Sequence, residues 1–219
     1  MEKNSDKYKP ALNYDWLTRF YDPLIQWTLR EETFKSQLIR QAQIQTDHHV
    51  LDLACGTATL TILIKNRFPE ATVIGLDGDP KVLEIARAKL AKEQLDIPLD
   101  LGMSFDLPYT NNSFDRVLSS LFFHHLTREN KSRTLAEVHR VLKPGGEIHI
   151  ADWGRPRSAL MRTAFFLVQM LDGFATTKDN ADGLIPQLLL ESGFIEVSET
   201  VQYPTLFGPL SLYSARKPD

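Results

Sequence analysis

The chain has 219 residues, 42% hydrophobic and 24% charged, with a formal net charge of -3. That length suits one good-sized core, or a domain with an appended subdomain, and the near-neutral balance carries no electrostatic case for nucleic acid or an anionic membrane surface. A single cysteine, Cys55, excludes an internal disulfide framework and leaves no cysteine cluster for zinc; no metal site is read from the sequence.

The N-terminal stretch "MEKNSDKYKP" is polar and lacks the apolar core of a signal peptide. The most apolar run, Ala159 to Leu171, is broken by Arg162 and Gln169 and is too short to span a bilayer. A cytoplasmic protein without a transmembrane segment is therefore expected. Leu12 to Ile44 has helical spacing, with Leu17, Phe20, Leu24 and Trp27 on one face and Phe34, Leu38 and Ile39 on a later one. Residues 1–45 read as a helical N-terminal tail, apart from a main domain at 46–219.

Strands and helices then alternate. "HVLDLA" is a short apolar strand and "TATLTILIKNRF" a helix burying Leu60, Ile64 and Phe68. "ATVIGLD" is a second strand, and Pro80 sits where a first helical turn accepts proline, opening "PKVLEIARAKLAKEQL". "PLDLGM" and "FDRVLSSL" are the third and fourth strands. A helix from about Arg128 to Leu142 ends at "KPGG", and "GEIHIADW" is the fifth strand. Buried strands alternating with helices imply an α/β fold, its mostly parallel sheet covered on both faces. A helical insertion fills about 158–192: "SALMRTAFFLVQMLDGF", apolar almost all round, then a helix from about Asp182 to Ser192 stopped by Gly193. "FIEVSETVQYP" and "TLFGPLSLYSARK" follow with a short link, as an antiparallel pair at the sheet edge.

In an open parallel sheet, ligands sit beyond the C-terminal strand ends, where the strand order reverses. The turns after Ala54, Asp77, Met103 and Ser120 open on that edge. "VLDLACGTATL" has one glycine, Gly56, where a dinucleotide-binding turn uses three, and Asp52 would repel a pyrophosphate. S-adenosyl-L-methionine suits this turn better, being phosphate-free with an α-ammonium, a sulfonium and one carboxylate. Asp77, ending the second strand, is placed to accept both ribose hydroxyls.

Four stretches in this order, "VLDLACGTATL", "VIGLDGDPKVLEIARAKL", "LPYTNNSFDRVLSS" and "RVLKPGGEIHIADW", resemble the successive motifs of class I S-adenosylmethionine-dependent methyltransferases. They come closest to the branch that includes the ubiquinone and menaquinone biosynthesis C-methyltransferases. The resemblance implies a Rossmann-like seven-stranded sheet, mostly parallel, with an antiparallel C-terminal hairpin strand and helices on both faces. It implies Asp52, Ala54, Gly56 and Thr57 around the methionine moiety, Asp77 on the ribose and Gly78 alongside. The usual adenine-binding aspartate falls on Met103, which can pack on the ring but not accept from its amine, so Ser104 is left to supply the polar contact. Ser120 matches a further cofactor-contacting position. The N-terminal helices of this family often close as a lid, which brings Tyr21 to the cofactor and Tyr14 to the acceptor; a stripe of aromatics at this spacing equally suits a core.

Methyl transfer needs alignment and water exclusion, and a base only where the acceptor must lose a proton. The candidates are His125 and, behind it, His124, both in "SSLFFHHLT" after the fourth strand; packing within the loop is the competing role. Asp152 and Trp153 end the fifth strand on the same edge, where Trp153 could line an acceptor pocket. The expected activity is transfer of a methyl group to a small, apolar or aromatic O- or C-nucleophile. A non-catalytic S-adenosylmethionine-binding protein and an NAD-dependent oxidoreductase are the alternatives. The apolar helix Ala159 to Leu171 suits a pocket wall, a homodimer contact or the core.

Overall fold

A computed structural model describes residues 31–219. The elements run α1 (Glu31–Gln41), β1 (His49–Leu53), α2 (Thr59–Arg67), β2 (Thr72–Asp77), α3 (Pro80–Lys92), β3 (Leu99–Leu101), β4 (Phe114–Ser120), a 3-10 turn (Phe123–His125), α4 (Arg128–Val141), β5 (Leu142–Trp153), α5 (Ala159–Asp172), α6 (Phe174–Asp182), α7 (Ile185–Glu191), β6 (Ile195–Thr205) and β7 (Gly208–Arg216). The sheet order is β3-β2-β1-β4-β5-β7-β6. β1 to β5 pair in parallel, and β7 is antiparallel to both β5 and β6.

Strand alternation divides the core between the two faces of the sheet. Val50, Leu118, Ala151, Leu210 and Leu212 face one cluster with Phe34 and Leu38 of α1, Leu60 and Ile64 of α2, and Phe165 of α5. Leu51, Leu53, Val117, Ile148, Ile150 and Tyr213 face the other, with Leu135 and Val138 of α4 and Leu188 of α7. Helix starts follow local chemistry: Asp79 caps α3 by accepting from Lys81 N, Thr127 caps α4 and Ser158 caps α5.

The structure corrects the reading of the insertion. The apolar helix does not run to Phe174; Gly173, at φ +98, ends α5 and a separate helix α6 begins. The sequence "FATTKDNAD" carries no apolar stripe, and α6 is held by polar burial instead. Lys131 of α4, fully buried, donates to Thr176 O at 2.6 Å and to Asp179 Oδ2 at 3.3 Å. α5 is also not apolar-buried all round: Phe165 and Val168 are inside, while Leu160, Phe166, Leu167 and Met170 are exposed. At the N-terminal end, α1 is part of the core, and Gln41 donates to Tyr213 O of β7. Tyr14 and Tyr21 lie outside the described residues.

Candidate active site

β1 lies between β2 and β4, the point at which the chain's winding reverses, so the turns after β1 and β4 diverge and leave a crevice. The turn after β1 is built from alternating left-handed residues: Ala54 (φ 57), Gly56 (φ 56) and Ala58 (φ 63). The two alanines hold a conformation that costs an L-residue about 1–2 kcal/mol each. Cys55 N to Leu76 O and Ala58 N to Cys55 O, both 2.9 Å, hold the turn. A Cβ on Gly56 would meet nothing within 4 Å, so the glycine answers to its backbone angle and leaves open space above the turn. Cys55 is buried against Gly75, and burial pushes its thiol well above the usual range, which makes it a packing residue.

Asp77 links this turn to the next. Its Oδ2 accepts from Gly56 N and its Oδ1 from Asp79 N, each at 2.9 Å. Burial raises its pKa, against the pull of those backbone donors. Each oxygen still has a lone pair to offer. Gly78 is half-buried beside it. Asp52 is placed differently from a carboxylate open to ligand: it is 1% exposed, and Thr61 Oγ1 of α2 donates to it at 2.6 Å. Burial pushes its pKa up to about 6. It braces the turn from below, and its charge reaches the crevice as a field.

Met103 follows β3 beside Asp77, half-buried, in a tight turn closed by Asp106 N to Met103 O. Ser104 is buried with its hydroxyl bonded to Thr134 Oγ1 at 2.9 Å, so of the two contacts expected for adenine, backbone or side chain, the backbone is the one this arrangement favours. Ser120 ends β4, half-buried, and Leu121 follows at φ 56, a strained angle for leucine, held by its N–H to Ala151 O at 2.8 Å. Thr57 is half-buried in the β1 turn.

Beyond β4 the two histidines fall into unlike settings. His124 Nδ1 lies 2.7 Å from Asp152 Oδ1, both side chains out of solvent. Asp152 also accepts from Phe122 N, His124 N, Trp153 N and Asn180 Nδ2. Burial alone would lower the His124 pKa, but the Asp152 charge and hydrogen bond outweigh it and the net shift is upward. His125, tilted against it with ring centroids 4.0 Å apart, is pulled down to about 3 by burial and by its neighbour. An imidazole with so low a pKa makes a poor proton acceptor at neutral pH, which weighs against the expectation that His125 is the favoured base. Trp153 is buried edge-on to Phe165 and His124, so it walls the corner from within. Sequence reasoning missed Asp172 and Asn180. Asp172 Oδ2, at the end of α5, lies 3.7 Å from His124 Nε2; nothing in its local sequence marks it. A cavity of about 500 Å3 lined by Arg155, Arg157 and Tyr213 includes none of the crevice residues.

Residues 50–146, from β1 into β5, match the methyltransferase domain family. The chain is 34% identical over 162 residues to the demethylmenaquinone methyltransferase of Symbiobacterium thermophilum, covering 73% of this chain and 62% of that protein. It is 35% identical over 127 residues to the demethylmenaquinone methyltransferase of Deinococcus radiodurans, covering 58% and 52%. The chain thus spans less than two thirds of the length of these relatives. In fold it is similar to a putative methyltransferase from Bacillus halodurans C-125, with a TM-score of 0.69 at 20% identity, covering 84% of this chain and 99% of that one. The turns after β1, β2 and β4 lie within the stretch that matches the methyltransferase domain family, and the chain is similar to the demethylmenaquinone methyltransferases over part of their length.

Proposed function

We propose that the chain transfers a methyl group from S-adenosyl-L-methionine to a small apolar or aromatic acceptor, at an oxygen or carbon nucleophile, by in-line displacement. The observation that carries this reading is the open turn between Gly56 and Asp77, leading past Ser120 to the His124–Asp152 corner. The residues present fit the cofactor: space above Gly56, spare acceptors on Asp77 for two hydroxyls, and an apolar Met103 beside them.

The cofactor supplies an electrophilic methyl on a sulfonium. Ala54, Gly56 and Thr57 would hold the methionine part, Asp77 and Gly78 the ribose, Met103 and the Ser104 backbone the adenine, and Ser120 would be a further contact. His124, oriented by Asp152, is the acceptor-side group, with His125 neutral beside it. Buried Trp153 keeps water from the back of that corner. Tyr14 and Tyr21, in a lid preceding α1, would cover the acceptor and the cofactor. The names of the relatives favour a ring-bearing, lipid-soluble acceptor of the quinone kind. No described helix is long and apolar enough to cross a membrane; a cytoplasmic location and the absence of a nucleic-acid partner belong to the proposal. So does a homodimer through the exposed Leu160, Phe166, Leu167 and Met170 of α5.

Isothermal titration with S-adenosyl-L-methionine and with its demethylated product tests the reading. Saturable binding of both, together with methyl transfer to reduced naphthoquinones, is expected. No binding at millimolar ligand contradicts it; binding without turnover over a broad phenol and quinol panel favours the non-catalytic alternative.

A further inference from the structure

The corner beyond β4 holds more than a histidine and its carboxylate partner. Asp152 is anchored by three backbone N–H groups and Asn180, and it holds His124 at Nδ1. An ionised carboxylate accepts, so Nδ1 carries the hydrogen of that bond and Nε2 is the ring atom left facing the corner. Nε2 lies 3.7 Å from Asp172 Oδ2, with Asp172 only 20% exposed in its side chain. That is longer than a hydrogen bond of about 2.8 Å. The separation is instead near the roughly 3.4 Å between two tetrahedral ligands each about 2.1 Å from a metal.

His125 supplies the third donor. Its ring is tilted 43° to that of His124, and among the described residues it makes no side-chain hydrogen bond. One donor atom from each of His124, His125 and Asp172 falls within 4.8 Å of the others. Two imidazoles and one carboxylate, with a second carboxylate behind one imidazole, form a donor set suited to zinc, iron(II), cobalt or manganese. Calcium and magnesium prefer more oxygen ligands.

We propose that His124, His125 and Asp172 bind one divalent transition-metal ion at the acceptor end of the crevice, with Asp152 positioning His124. Metal binding itself stands on this geometry; its use rests on the methyltransferase reading. The positions left open take water or an oxygen donor of the acceptor, which selects a hydroxyl, enol or quinol over an amine. Coordination lowers the pKa of that hydroxyl, and its proton leaves to solvent water. The acceptor's electron pair then forms the new bond to the methyl carbon as the carbon–sulfur pair returns to sulfur.

Tag-free full-length protein, stripped with a chelator, is titrated with Co2+ and followed by visible absorption. The expected result is a ligand-field band that saturates at one equivalent and is displaced by Zn2+. Asp172→Asn and His125→Ala should each weaken Co2+ binding by at least about tenfold, with far-ultraviolet circular dichroism showing both folded; if one fails to fold, the other decides. No saturable band for the wild type, or equal binding by wild type and folded variants, overturns the site. S-adenosyl-L-methionine binding is measured on the same stripped sample. Cobalt bound without cofactor leaves the metal site standing and removes the methyltransferase reading; cofactor bound without cobalt does the reverse.

Discussion

Asp77 and Asp52 are both strand-end carboxylates, and the structure gives them opposite duties. Asp77 sits where two turns meet and still has lone pairs to offer, so Asp77→Ala should weaken S-adenosyl-L-methionine binding by about 2–4 kcal/mol, roughly 30- to 1000-fold. Titration calorimetry reads this directly, and an unchanged affinity removes Asp77 from the site. Asp52 is shut in beneath the turn, with its pKa raised from 3.8 to about 6. Its folded form therefore retains a proton that the unfolded chain releases. Stability from this group is present below the unfolded pKa and lost as pH rises from 3.8 to about 6. The loss is of order 3 kcal/mol. Asp52→Asn should remove that slope, leaving the variant more stable than wild type above pH 6 and level with it near pH 3.5 in denaturant titrations; parallel curves contradict the assignment. The strand-end positions of both aspartates were legible in the sequence, because chain order places β1 and β2 at the crevice. Which way Asp52 faces was not: that depends on Thr61, one helix on. Because Asp52 is buried and bonded to Thr61, it repels a pyrophosphate less than an open carboxylate would.

At the scale of elements, the strands and helices from β1 to β5 were readable because their apolar periods and caps agree with one another. Pro80 and the helix expected from about Arg128 mark helix starts that the structure keeps, and the structure adds their caps, Asp79 and Thr127. The α5–α6 break was not readable, since α6 shows no apolar stripe and its order comes from Lys131 and Asp179, distant partners that local pattern does not reveal. Gly173 enforces that break at φ +98, where a Cβ would meet only Thr176 Oγ1 at 3.5 Å. Gly173→Ala thus pays for backbone angle rather than crowding, about 1–2 kcal/mol, and should lower the melting temperature by about 2–8 °C. It should also loosen the end of α5 on which Asp172 stands. A variant melting at or above the wild-type temperature shows that the left-handed turn is not needed.

For the molecule as a whole, a mostly parallel seven-stranded sheet with an antiparallel end was expected from the family resemblance and the short link after β6, while the strand order β3-β2-β1-β4-β5-β7-β6 comes from the structure. The position of the crevice follows from that order alone. The His124–Asp152–Asp172 corner does not: it joins β4, β5 and α5, three segments far apart in sequence. The exposed apolar face of α5 is another property of the whole molecule. If it is a contact between copies, sedimentation should show a monomer–dimer equilibrium that Leu167→Glu shifts to monomer; a wild-type chain that stays monomeric at high concentration removes the dimer from the account.

The most direct test of the account is a crystal structure of the full chain with S-adenosylhomocysteine. The prediction is ribose hydroxyls on Asp77, the amino-acid part over Gly56, and the sulfur turned toward His124. An empty crevice, or the nucleoside seated away from the β1 and β2 turns, contradicts it.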